Sequence, residues 1–192
     1  KIECPADFSW IVFHIDPKAR MQDGKKITAD DVVFSFNKFM TEGVPQYRQY
    51  YKGVKAEALD GSRAKFTLPK GDRAMILDLG SLKILPKSFW GSRKLSDPLT
   101  EVGSSGYRIK DYKIGQYVEY QRDPNYWATD LPVNKGLNNF DVVRYDYYRD
   151  DTVAFEAFKA GEFDFYLEST AKNWATMYTG SQFGKKHIVK EL

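Results

Sequence analysis

The spacing of hydrophobic side chains near the start of the chain predicts a strand followed by a helix. Residues 9–15 alternate between two faces and are rich in β-branched and aromatic side chains, as is typical of a strand. An apolar stripe at helical spacing follows, made of Val32, Phe36, Phe39 and Met40. Thr28 and Asp31 have the spacing of a capping box at the start of this helix. Gly43 and Pro45 predict its end.

A β-hairpin is predicted after this helix. Residues 54–59 and 63–68 alternate on either side of Asp60-Gly61, a dipeptide typical of a type I′ turn. Asp72 is placed to cap a short helix soon after the hairpin. The first half of the chain therefore combines strands and helices in one block.

The second half of the chain has its own strands and helix. Residues 107–113 and 117–122 form a second predicted hairpin, and residues 140–148 form a further strand. Thr152 is placed to cap the next helix, and residues 163–167 form a strand directly after it. Because a strand, a helix and a strand make a right-handed crossover, we expect the last two strands to be parallel neighbours.

Composition narrows the class of protein. The 192 residues, 42% hydrophobic and 29% charged, are sufficient for a core and exclude a disordered chain. The apolar runs are too short to cross a bilayer. The 29 Lys and Arg residues are scattered and nearly offset by 26 Asp and Glu residues, so we expect no nucleic-acid partner. Cys4 is the only cysteine, which excludes an intrachain disulfide, and we expect no metal site.

The sequence offers few groups for catalysis. His14 lies inside the first predicted strand and His187 in a basic tail, so both favour structural or solvated roles over a nucleophilic triad. The acidic pairs Asp30-Asp31 and Asp150-Asp151 stand at predicted helix starts, where caps and the helix dipole explain them. Glycine-rich phosphate-binding motifs do not occur. We therefore expect no catalytic residue and no cofactor.

Four stretches of the chain, taken in order, resemble a known family. They are FHIDPKARMQDGKKITADDVVFS at 13–35, GSSGY at 103–107, RDPNYW at 122–127 and FKAGEFD at 158–164. Together they are similar to solute-binding protein family 5, the peptide-binding periplasmic proteins of ABC importers. Residues 155–162 and 171–176 resemble in particular its YejA-like branch, which is associated with oligopeptides and peptide-like microcins. One departure is Ser105-Gly106, which stands where the family has Gly-Pro.

The resemblance implies a fold and a domain organisation. Family members close two lobes on a ligand, and their fold is an α/β, type II periplasmic-binding-protein fold with a mixed sheet. Residues 1–102 are then the smaller subdomain of the first lobe, and residues 103–192 part of its sheet-containing subdomain. Because family members are far longer, we expect this chain to be a truncated portion without the second lobe. Binding by the chain alone is then expected to be weak or absent.

The resemblance also implies candidate ligand-binding residues. It places Tyr166, Glu168 and Ser169 after the last strand, at the cleft between the lobes. Tyr47 and Tyr50, in a segment dense in tyrosine, are further candidates for a ligand-groove wall. The alternative assigns Tyr166 to the core, Glu168 to the solvated surface and the two other tyrosines to packing.

Three functions remain open on the sequence. The first is the capture of oligopeptides or peptide-like compounds in the periplasm and their delivery, by a monomer, to an inner-membrane ABC permease. The second is an α/β hydrolase or transferase that uses Glu168 or the Asp150-Asp151 pair. The third is a regulatory relative that has kept the fold without transport, because fold alone does not fix function.

Overall fold

The computed structural model describes residues 1–97 and 102–180, which form two compact units. The first unit contains Lys1–Tyr112 and Val118–Arg144, and the second contains Lys113–Tyr117 and the described residues from Tyr145 onward. The elements are β1 (Ile2–Glu3), β2 (Trp10–His14), α1 (Ala29–Glu42), α2 (Pro45–Tyr50), β3 (Lys55–Ala58), β4 (Arg63–Thr67), α3 (Arg73–Leu79), α4 (Lys87–Trp90), β5 (Tyr107–Lys113), β6 (Tyr117–Arg122), a 3₁₀ turn (Pro132–Asn134), β7 (Val142–Asp146), α5 (Asp151–Lys159) and α6 (Ala171–Thr176). The predicted subdomain boundary between residues 102 and 103 stays a prediction, and His187 lies outside the described residues.

An antiparallel sheet with strand order β1-β2-β4-β3 forms the base of the first unit. In its register Phe66 lies opposite Ile11 on one neighbour and Ala56 on the other. The ring of Phe66 meets that of Phe36 from α1 edge to face, with centroids 5.3 Å apart. Since both rings are almost fully buried, this pair is the centre of the core.

Helix α1 begins at the predicted capping box. The Asp31 backbone N–H donates to Thr28 Oγ1 at 3.3 Å, and Asp31 Oδ2 accepts from the Thr28 backbone N–H at 2.9 Å. The other carboxylate oxygen accepts from the backbone N–H of Lys87. Buried Ser35 accepts from the Leu85 backbone N–H at 2.7 Å, so two polar side chains of α1 fix the segment that leads into α4.

The hairpin of β3 and β4 is confirmed, but its predicted type I′ turn is wrong. Gly61 does not have the positive φ that this turn requires. The Asp60 carboxylate instead accepts from the backbone N–H groups of Ser62 and Arg63, at 2.8 and 2.9 Å. The last backbone hydrogen bond before the turn runs from Leu59 N to Arg63 O, so the loop contains residues 60–62 rather than the two residues of a type I′ turn. The Ser62 N–H, with the Arg63 guanidinium, holds the pKa of the Asp60 carboxyl well below its usual range.

The second sheet has strand order β5-β6-β7 and contains the second predicted hairpin. Gly115 connects β5 and β6 with φ of 73°, a left-handed conformation that suits glycine. Backbone bonds from Arg122 N to Asp141 O and from Tyr147 N to Gln116 O give β7 an antiparallel register against β6. Strand β7 spans only Val142–Asp146 of the predicted 140–148.

The predicted strand at 163–167 is wrong, and the parallel pair expected with it does not form among the described residues. A strand needs a neighbour that completes its ladder of hydrogen bonds. Phe163 instead packs on α5, with its ring centroid 5.6 Å from that of Phe158. Phe165 and Leu167 are 77% and 79% exposed. The α/β class is confirmed, with antiparallel pairing in the described sheets.

The predicted cap of α5 is also corrected. Asp150, rather than Thr152, is the N-cap, and its Oδ1 accepts from the backbone N–H groups of Thr152 and Val153 at 2.7 and 3.2 Å. Thr152 lies inside the first turn. A carboxylate also interacts favourably with the positive end of the helix dipole, so the residue two positions earlier takes the capping role.

Candidate ligand-binding site

A cavity of about 790 Å³ opens in the first unit beside α2. Its described lining consists of Phe39, Glu42, Gly43, Val44, Tyr47, Tyr51, Asp78, Ser81, Leu82, Lys83, Leu95 and Ser96. The end of α1, helix α2 and the end of α3 supply most of these residues. Helix α2 begins with Pro45 at its first position, where the fixed φ of proline suits a helix start. The cavity therefore has walls carried by short helices.

Tyr47, a predicted ligand contact, is half-buried in this wall. Its ring lies between those of Phe39 and Tyr51, with centroid distances of 5.7 and 4.6 Å. Burial, with a smaller contribution from Tyr51, raises the pKa of the Tyr47 hydroxyl to about 12. The wall is therefore aromatic and neutral at physiological pH.

Tyr50, the second predicted contact in this segment, is exposed and is not part of the described lining. Its hydroxyl donates to Asp78 Oδ2 at 2.5 Å. This hydrogen bond is the largest of the causes that raise the pKa of Tyr50 to about 12. Tyr50 therefore does not line the cavity itself but hydrogen-bonds to Asp78, which does.

Tyr47→Phe is expected to make the stability of the first unit less sensitive to alkaline pH. The folded state raises the pKa of Tyr47, so its contribution to stability is complete below pH 10 and is lost as the pH rises towards 12. Denaturant unfolding of wild type and variant between these pH values measures the difference. Asp78→Asn is the control, since it should lower the pKa of Tyr50 and leave that of Tyr47 unchanged. Equal alkaline losses in wild type and Tyr47→Phe would contradict the assignment.

Tyr166 and Glu168, the main candidates from the resemblance, lie in the second unit beside α5. The Tyr166 ring stacks on Phe158 and also meets Phe155, at centroid distances of 5.7 and 5.8 Å. Burial, followed by the charge of Glu168, raises the pKa of the Tyr166 hydroxyl. Glu168 Oε1 accepts from the backbone N–H of Thr170 at 2.7 Å. These two residues are thus brought together, and exposed Ser169 follows them.

Three further residues of this cluster, Phe155, Trp174 and Tyr178, were not predicted as site residues from the sequence. The Tyr178 ring lies 4.9 Å from that of Phe155 and 5.3 Å from that of Trp174. Burial and then Glu168 raise the pKa of the Tyr178 hydroxyl to about 12. The spacing of Phe155 and Phe158 on one helix face was the available signal, because it marks the surface on which such rings pack.

Gln22 joins two of the stretches that carry the family resemblance. Its Oε1 accepts from the backbone N–H of Gly103 at 3.0 Å, and its Nε2 donates to the carbonyl oxygens of Ser105 and Tyr107 at 3.0 and 2.8 Å. A Cβ on Gly106 would clash with the side-chain amide of Asn138, so any larger residue here requires that side chain to move. The loop is thus fixed by an amide clamp.

Residues 1–97 and 102–180 contain no cluster of three or more His, Cys, Asp or Glu side chains arranged to hold a metal ion. His14 instead contacts Glu3, with Nε2 and Oε1 2.7 Å apart. None of the described helices is both long enough and apolar enough to cross a bilayer. Asp31 completes the capping box of α1 and Asp150 is the N-cap of α5, as expected of the pairs that contain them.

Comparison with known proteins defines the class to which this fold belongs. Residues 3–190 match the model of the bacterial extracellular solute-binding proteins, family 5, middle region. The chain belongs to this family of ABC-transporter solute-binding proteins.

Two relatives show how the chain relates to particular members. It is 51% identical over 187 residues to "Uncharacterized protein YejA" of Escherichia coli (strain K12), covering 96% of this chain and 31% of that protein. It is 34% identical over 203 residues to "Probable peptide-binding protein YejA" of Agrobacterium fabrum (strain C58), covering 99% and 33%. The chain thus spans about a third of the length of these relatives.

Solved structures confirm the type II periplasmic-binding-protein fold. The substrate-binding protein CtaP of Listeria monocytogenes is 26% identical, with a TM-score of 0.69 over 85% of this chain and 34% of its own. The oligopeptide-binding protein AppA of Bacillus subtilis, solved with a nonapeptide, is 24% identical, with a TM-score of 0.74 over 92% and 35%.

Proposed function

We propose that this protein is the solute-binding component of an ABC importer, and that it captures oligopeptides or peptide-like compounds in the periplasm for delivery to the permease. Membership of the family supports the transport role. The Agrobacterium relative, a probable peptide-binding protein, supports peptide as the ligand class. Closure of two lobes over the ligand would be the event that the permease recognises.

The free backbone of residues 163–169 is the observation that carries the proposal. Within the described part of the chain, these residues make no backbone-to-backbone hydrogen bond. An extended peptide binds through main-chain hydrogen bonds to such a segment, with pockets for its side chains. The side chains of Phe165 and Leu167 are also exposed. A peptide strand therefore has both polar and apolar groups to contact here.

The predicted site residues provide the chemistry for this role. Tyr166 supplies an aromatic wall that α5 holds through Phe158. Glu168 supplies an anion for the ammonium group of a peptide, because the two oxygens of a carboxylate can accept further hydrogen bonds besides those from the Thr170 N–H and the Tyr178 hydroxyl. Ser169 supplies an exposed hydroxyl. The proposal assigns binding, and no catalysis, to these residues.

Native mass spectrometry of the longest natural form of the protein, purified without denaturation, tests this function. We expect co-purified peptides on the wild type, and their loss in Glu168→Gln and Tyr166→Ala. Glu162→Gln is the matched control, because it removes a carboxylate from the same unit outside the proposed site. Ligand-free wild type under conditions that retain peptide on a known binder would overturn the proposal. A turnover that vanishes with Glu168 or Asp150 would instead support an enzyme.

A further inference from the structure

The cavity beside α2 has the size and walls of a site for a small organic molecule. Its volume of about 790 Å³ falls within the range of roughly 300–1,000 Å³ that is usual for such sites. Phe39, Tyr47 and Tyr51 pack on one another and line one wall, and Leu82 and Leu95 add aliphatic surface. An apolar body of a ligand could therefore be buried against fixed aromatic rings.

One carboxylate of the lining is already satisfied. Glu42 Oε1 lies 2.7 Å from Lys38 Nζ, and Glu42 Oε2 accepts from the backbone N–H of Leu95 at 2.9 Å. The Lys38 ammonium lowers the pKa of Glu42. Glu42 is thus a structural anion and leaves little capacity for a ligand.

Two other charges of the lining are not used in this way. Asp78 Oδ2 accepts from the Tyr50 hydroxyl, and its second oxygen makes no hydrogen bond within residues 1–97 and 102–180. Lys83 is exposed and forms no salt bridge with any residue of those ranges. The two groups do not pair with each other within 4.0 Å. The same cavity thus offers one anion and one cation separately.

We propose that this cavity binds a small zwitterion with an apolar body, of the class of a dipeptide with apolar side chains. The ammonium group would pair with Asp78 and the carboxylate with Lys83, while the side chains lie on the aromatic wall. A neutral ligand would bury both protein charges without partners, which is costly. This site lies within the first unit and does not depend on the function proposed for Tyr166, Glu168 and Ser169.

Isothermal titration of the longest natural form of the protein with the dipeptide L-phenylalanyl-L-leucine tests the site. We expect Asp78→Asn and Lys83→Met each to weaken binding about tenfold, because each removes one charge-assisted hydrogen bond. The N-acetylated dipeptide should bind wild type weakly and be insensitive to Asp78→Asn. The C-terminal amide should likewise be insensitive to Lys83→Met.

Two further variants keep the result decisive. Val44→Trp fills the cavity from an exposed position without changing charge, and it should abolish the binding heat even if Asp78→Asn fails to fold. Glu162→Gln, which removes a carboxylate outside both proposed sites, should leave the affinity unchanged. Wild-type affinity in the Asp78, Lys83 and Val44 variants, or the absence of binding heat, would overturn the proposal. Loss of binding in Glu168→Gln alone would assign the dipeptide to the other site. A lack of co-purified peptides would contradict only the proposed transport function.

Discussion

Phe36→Ala is expected to lower the free energy of unfolding of the first unit by about 3–5 kcal/mol, as is usual for removal of a buried ring. Phe36 is 1% exposed, and its ring meets Phe66 and Tyr51 edge to face at 5.3 and 5.9 Å. The variant loses these contacts and leaves a cavity between α1 and the sheet. Urea unfolding followed by near-ultraviolet circular dichroism measures the change.

Two variants calibrate this expectation. Phe36→Leu keeps most of the volume and should cost less than Phe36→Ala. Leu77→Ala, at a position that is 65% exposed on α3, should change stability by no more than about 0.5 kcal/mol. A loss below about 1 kcal/mol in Phe36→Ala would mean that the core closes around the missing ring, contrary to the close packing seen around it.

The parts of the fold that could be predicted from the sequence are those with local signals. Helix α1 has both a capping box at Thr28 and an apolar stripe that includes Phe36, so two independent patterns agree on one element. The predicted strand at 163–167 depended on its composition, its position directly after a helix and the family resemblance. Strand formation also requires a partner for the backbone, and no local pattern specifies that partner.

Competition between polar side chains explains the two local errors. At the hairpin, the carboxylate of Asp60 binds the backbone N–H groups of the turn, which removes the need for a type I′ geometry. At α5, both Asp150 and Thr152 are good capping residues, and only the backbone geometry decides between them.

The candidate site shows the same limit. The density of tyrosine identified the segment of α2, and Tyr47 does line an aromatic cavity, although ligand contact there stays a prediction. Asp78 and Lys83 could not be identified, because their relevance depends on a cavity formed by segments distant in the sequence. The Tyr166 cluster likewise depends on Tyr178, which is brought to α5 only by tertiary packing.

Gln22→Ala is expected to destabilise the first unit by about 2–4 kcal/mol, because three side-chain hydrogen bonds are lost at about 1 kcal/mol each. The backbone bond from Gln22 N to Gly103 O should remain. We therefore expect the loop at 103–107 to loosen locally before the unit unfolds. Amide hydrogen exchange reports this directly, since the Gly103 N–H loses its side-chain acceptor and should exchange faster.

Gln22→Glu separates the two halves of the clamp. The carboxylate can still accept from Gly103, but it cannot donate to the carbonyl oxygens of Ser105 and Tyr107, which it instead repels. Repulsion should raise the folded-state pKa of the new carboxyl above the ordinary value of about 4.3. Its protonated form, which can donate one hydrogen bond, then favours the fold below that value, and this stabilisation is lost as the pH rises through the folded-state pKa. Unfolding of Gln22→Glu between pH 4 and 7, compared with Gln22→Ala, measures it; parallel curves for the two variants would show that the amide donor does not hold the loop.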